Sequence, residues 1–179
     1  MDTFVKFIDV LSSILNWLSD LGDKLDDMNC GFYDITDGRR ATKEEFRLEL
    51  FRFLAYIVAG CDTVNEGQIL ALNFVLDGVH DVALNVNAEN FKQVTQGISA
   101  SDAIPDVALA FCQGIDVAHS KQNGEDEAVL TNHLVRMYEG LGQMMVAMNY
   151  TSVSDNRYDM VINLIQGEAN SWTDDDDEL

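Results

Sequence analysis

Apolar residues return at steps of three and four along almost the whole chain, and a single proline, Pro105, stands among 179 residues. That spacing belongs to helices, because about 3.6 residues per turn bring such positions onto one face. The first segment runs from Thr3 to Leu25, with Phe4, Phe7, Ile8, Leu11, Ile14, Leu15, Leu18 and Leu21 on its stripe. Asp2 or Thr3 can cap it. Residues 29–41 read as a loop, with Gly31 and Asp37-Gly38 as turn signals. Thr42-Lys43-Glu44-Glu45 has the Thr-x-x-Glu form of a capping box. The second helix it opens carries Phe46, Leu50, Phe53, Leu54 and Ile57 on one face, widened by Leu48, Phe51 and Val58. A helix this apolar should be central.

Thr63-Val64-Asn65-Glu66 reads as a second capping box, opening a third helix that offers Ile69, Leu70, Leu72, Phe74, Val75 and Leu76 and stops near Asp77-Gly78. Residues 79–103 are ambiguous between a short strand and a loose turn, with Asn87 able to cap a helix bearing Phe91, Val94 and Ile98. Pro105 suits the first turn of a fifth helix, whose face is Ala108, Phe111, Cys112, Ile115 and Ala118. After a loop at 121–127 comes a sixth helix, reaching Met148 with Leu130, Leu134, Met137, Leu141, Met144 and Met145 on its stripe. Ser154 caps a seventh, bearing Tyr158, Val161, Ile162 and Ile165. Several of these are too short to persist alone and need a common interior. The expectation is an all-α, single-domain bundle of about seven helices over 1–172, followed by a disordered acidic tail at 173–179.

The pairing of TVNEGQILALNFVL (Thr63–Leu76) with SVSDNRYDMVINLI (Ser152–Ile165) suggests a pseudo-repeat of a helical hairpin. Each follows a long apolar helix. Any helical hairpin needs a similar turn, so duplication and shared local demand both explain the echo.

Charge narrows the partners. Eleven Lys and Arg face 31 Asp and Glu, a formal net charge of −20. Residues 1–60 account for −4 and residues 61–179 for −16. Direct binding to nucleic acid needs clustered cations, which argues against it here. No basic leader precedes the first apolar run, and no stretch reaches the roughly 18 uncharged apolar residues of a membrane span. The three cysteines, Cys30, Cys61 and Cys112, form no Cys-x-x-Cys pair. Free thiols and a cytoplasmic location are expected.

Candidate chemistry is sparse. Asp62, Asn65 and Glu66 could offer oxygen ligands to a hard divalent cation such as calcium. The alternative is that Thr63 and Glu66 cap the helix while Asp62 offsets its dipole. His80, His119 and His133 have no metal-ligand partner at i+4. Cys112 falls on an apolar stripe, whereas Cys61 stands at a turn before a helix and is the better candidate for a reactive thiol. Phosphate-loop, dinucleotide and Gly-x-Ser-x-Gly motifs are missing. Arg39, Arg40, Lys43, Arg47 and Arg52 form one basic cluster that could dock an acidic partner. The methionines of the sixth helix read as core, or as an adaptable binding surface.

The stretch YIVAGCDTVNEGQILAL, Tyr56–Leu72, resembles the centre of the tellurite-resistance TerB-like family: an apolar helix, a small-residue and acidic turn, a β-branched residue, an acidic cap and a helix. The family's Asp-Gly falls on Cys61-Asp62, Val64 takes the β-branched place, and its later acid falls on Gln68. The resemblance implies an all-helical, non-enzymatic module for protein interaction or cation sensing in a bacterial stress response, with Asp62 and Glu66 as the metal candidates. Two other readings compete: an acidic protein that imitates the phosphate array of DNA and occupies a DNA-binding partner, and an enzyme with a site assembled across helices.

Overall fold

The helix expected to be central is buried on nearly every side, and the other six pack against it. A computed structural model describes the backbone of residues 3–27, 38–80, 82–124 and 128–171, and their side chains except at 3–4, 24–27 and 38–42. The elements are α1 (Thr3–Asp27), α2 (Gly38–Val58), α3 (Glu66–Leu76), α4 (Phe91–Thr95), α5 (Asp106–Asn123), α6 (Val129–Met148) and α7 (Ser152–Asn170). No strand occurs among the described residues, so the chain is an all-α bundle. No helix among them is long and apolar enough to cross a membrane. Asp2, Cys30, the 28–37 segment, 125–127 and the acidic run from Trp172 onward lie outside the described residues, as does the Thr42 side chain.

In α2 every residue from Phe53 to Val58 is buried, together with Phe46, Glu49, Leu50 and Phe51. Its neighbours are α1, α3, α4, α5, α6 and α7. Phe53 meets Tyr138 of α6 edge-on at 4.8 Å, and Phe46 meets Phe111 of α5 at 5.8 Å. Each fully buried Leu, Ile or Phe contributes about 1.5–3 kcal/mol, so this one helix anchors much of the apolar burial. The α6 stripe is core as well: Leu134, Leu141 and Met145 are buried, and Leu130, Met137, Met144 and Met148 pack against them.

Several boundaries differ from the sequence expectations. The α2 helix begins at Gly38, so Thr42–Glu45 lies inside the helix rather than opening it, and 38–41 is helical rather than loop. The N-cap of α3 is Asn65, not Thr63, and its box partner is Gln68, not Glu66. The N-cap of α7 is Thr151, with Ser154 as its third helical residue. The 82–86 segment is neither helix nor strand. It is held by the Asn73 side chain, which donates to the Val86 carbonyl and accepts from its N–H, both at 2.8 Å. Asn87 accepts from the N–H groups of Glu89 and Asn90 just before the short α4. In α3 the buried face is Ala71, Leu72, Val75 and Leu76, while Leu70 and Phe74 turn outward.

The corrected caps change the internal echo. Placing Asn65 on Thr151 pairs Gln68 with Ser154, Leu72 with Tyr158, Val75 with Val161 and Leu76 with Ile162, and all eight are buried. The register of Thr63 on Ser152 would instead set Val75 against the exposed Leu164. The two hairpins therefore correspond one helical turn away from the gap-free alignment, and their turns differ in length.

Those turns press on each other. A Cβ on Gly60 would stand 2.7 Å from the Ser154 nitrogen and 2.8 Å from its Cα. Both are backbone atoms that cannot rotate aside. Gly60→Ala is expected to destabilise the protein by about 1–3 kcal/mol in urea unfolding, the cost of overpacking, whereas Gly97→Ala, with open space around the added methyl, is expected to lose no such packing.

Candidate functional site

The proposed cation ligands lie at the apex where the two turns meet. Asp62 is exposed in the turn after α2, and Glu66, also exposed, is the first residue of α3. The residues between and behind them are spent on structure. Asn65 accepts from the Gln68 N–H at 2.9 Å, while Gln68 Oε1 accepts from the Asn65 N–H at 3.2 Å. Asn65 also donates to the Met148 carbonyl at 2.8 Å. In return Asn149 donates to the Thr63 carbonyl at 2.8 Å and to Gln68 Oε1 at 3.0 Å. Thr151 donates to the Gly60 carbonyl at 3.0 Å. Each turn thus completes the other's backbone bonding. Among the described residues no three His, Cys, Asp or Glu side chains gather as a metal-binding group.

Cys61 stands inside this knot. It is buried, its Sγ donates to the Asn149 carbonyl at 3.6 Å, and it accepts from Gln68 Nε2 at 3.7 Å. Lys92 Nζ donates to its carbonyl at 2.7 Å. A covered, engaged thiol does not suit Cys61 to the reactive role for which its place at a turn made it the better candidate. Cys112 is core, and burial pushes its thiol far above the ordinary range, with Asp116 adding to the effect.

The three histidines are exposed and far from forming a common centre in sequence or partners. His133 lies edge-on to Trp17 at 5.0 Å, and His119 pairs with Asn123. Of the basic cluster, the Arg39 and Arg40 side chains lie outside the described residues, and the other three cations have separate partners. Lys43 pairs with Asp23 at 2.8 Å. Arg47 Nη1 donates to the Phe74 and Val75 carbonyls at 3.3 and 2.9 Å, capping the negative end of α3. Burial pulls the Arg47 pKa down, against the nearby Asp77. Lys43 and Arg47 line a cleft of about 550 Å3 with Asn16, Ser19, Glu44 and His80. Arg52 pairs with Glu45 at 3.0 Å beside a smaller cleft of about 210 Å3.

Two buried carboxylates were not anticipated. Glu49 of α2 is 2% exposed and accepts from the Val107 and Ala108 N–H groups at 2.7 and 3.0 Å, so it caps α5 from a different helix. Asp116 of α5 is 3% exposed and accepts from the Leu130 and Thr131 N–H groups at 3.0 and 2.9 Å and from the Thr131 hydroxyl at 2.7 Å, capping α6. Each acid stands on an apolar stripe: Glu49 three after Phe46, Asp116 four after Cys112. That misplaced charge is the signal by which sequence reading could have found them.

No family model, no curated protein and no solved structure matches this chain.

Burial raises the Glu49 pKa to about 7, opposed by its two N–H donors and assisted by Glu45 and Asp106. A folded value above the ordinary 4.5 means that the native state binds the proton more tightly than the unfolded chain. Its stabilising contribution is complete below 4.5 and disappears as pH rises to about 7. Urea unfolding is expected to show a loss of about 3 kcal/mol across this window, a slope that Glu49→Gln removes. Asp116→Ala strands two N–H groups and a hydroxyl, and is expected to cost about 2–4 kcal/mol by the same measurement.

Proposed function

We propose that this chain is a non-enzymatic, acidic helical module that acts by binding another protein, the interaction role that its likeness to TerB-like domains implies. The observation that carries this reading is the commitment of its buried acids. Glu49 and Asp116 are both spent on helix starts, and groups held this way maintain the scaffold instead of meeting a substrate. The chain as a whole, by contrast, carries a formal charge of −20, and α7 has exposed apolar side chains.

Of the two roles in that likeness, interaction is favoured over cation sensing, because Asp62 and Glu66 are exposed and gather no third ligand among the described residues. A place in a bacterial stress response belongs to the same proposal and rests on the resemblance alone.

The test is capture of partners on the immobilised chain, then measurement of each purified candidate by calorimetry. A one-to-one complex of micromolar affinity or tighter, indifferent to EDTA, is the expected result. Binding that appears only with millimolar calcium would move the assignment to cation sensing. A partner displaced by duplex DNA would support the DNA-mimic reading. If no purified candidate binds, the proposal fails.

A further inference from the structure

Tyr56 and Met160 make an unequal pair. Tyr56 is 6% exposed on α2, which packs against α7, and its hydroxyl donates to Met160 Sδ at 3.3 Å. Arg157, one turn earlier on α7, holds the tyrosine in place. Its Nη1 donates to the Tyr56 carbonyl at 3.0 Å, and its guanidinium lies 4.6 Å from the centre of the ring. A phenol is a good donor, whereas a thioether sulfur is a weak acceptor. The fold thus aims a hydroxyl at a group that cannot fully satisfy it.

The methionine that receives this bond is also the most accessible of those described. Met160 is 55% exposed. Met145 is buried, and Met137, Met144 and Met148 are half-buried against the core. Met1 and Met28 lie outside the described residues. A thioether carries two lone pairs, so the Tyr56 hydroxyl leaves one to meet an oxidant. The sulfurs of the core react only when the packing around them opens.

We propose that Met160 is a redox-modification site, oxidised to the sulfoxide by hydrogen peroxide, with the Tyr56 hydroxyl as the ready donor to the new oxygen. The Sδ lone pair attacks the outer peroxide oxygen. The S–O bond forms as the O–O bond breaks, and the proton of the attacked oxygen passes to the leaving one. The sulfur loses two electrons, and the peroxide is reduced to water. The sulfoxide oxygen is a stronger acceptor than the thioether, and the unbranched side chain can turn to bring it within reach of the hydroxyl. Methionine oxidation disrupts apolar contacts when the side chain is buried. At Met160 the side chain already faces water, so the change tightens the contact between α2 and α7 instead.

The full chain is treated with dilute hydrogen peroxide, and each methionine is followed by peptide mass spectrometry. Met160 is expected to gain oxygen at least about tenfold faster than Met137, Met144, Met145 and Met148, which wait on opening of the core. Urea unfolding then reads the hydrogen bond. Oxidation is expected to leave the wild-type midpoint at or above its reduced value. In Tyr56→Phe, which keeps the ring and removes the donor, the shift is expected to be less favourable. Met160→Leu at the same peroxide dose subtracts whatever Met1 and Met28 contribute. Circular dichroism confirms that both variants stay helical. Any of the four core methionines oxidising within the tenfold margin overturns the proposal. So does a wild-type midpoint that falls beyond the Met160→Leu control, or an equal shift in wild type and Tyr56→Phe.

Discussion

A helix that begins inside a protein brings N–H groups with no partner in their own helix, and burial makes leaving them bare expensive. Four helices of this bundle start against neighbouring elements, and each start is answered by a specific side chain. Glu49 answers α5, Asp116 answers α6, Asn65 with Gln68 answers α3, and Thr151 with Ser154 answers α7. The first two cross from one helix to another, so they fix packing as well as local structure. Glu49 ties the central helix to α5, and Asp116 ties α5 onward to α6. The order of helices in space thus follows from which start each acid can reach.

Periodicity makes most of the helices legible in the sequence. Phe46, Leu50, Phe53, Leu54 and Ile57 announce a central helix because no surface helix could hide so wide an apolar face. What periodicity cannot supply is direction when every face is apolar. In α3 the sequence offers Ile69, Leu70, Leu72, Phe74, Val75 and Leu76 together, and only tertiary packing decides that Leu70 and Phe74 remain outside. Caps fail for a related reason. Thr63 and Asn65 are both good cap residues, and the choice falls on Asn65 because its amide also reaches the Met148 carbonyl. That partner is far away in sequence.

The candidate site is less legible than the fold. Asp62 and Glu66 are visible as acids near a turn, but their exposure depends on how Asn65, Gln68 and Asn149 fill the space behind them. Cys61 shows how sequence context misleads: a thiol before a helix start suggests reactivity, yet the second turn covers it and takes its proton into a hydrogen bond. The exposed apolar residues of α7 are hard to read in the opposite sense. Val153, Met160 and Leu164 look like ordinary helix residues until the inner face is seen to be complete without them.

The reciprocal bonding of the two turns also bears on how the chain loses its structure. Asn65 needs a carbonyl near the end of α6, and Thr151 needs the carbonyl of Gly60. Neither hairpin can finish its own corner while the other is absent. Contacts spanning so much sequence close only when both halves have arrived, which slows assembly but makes partial unfolding unrewarding. Despite its hairpin-like echo, the bundle should melt as one cooperative unit, with the knot of turns and the central helix sharing a single transition.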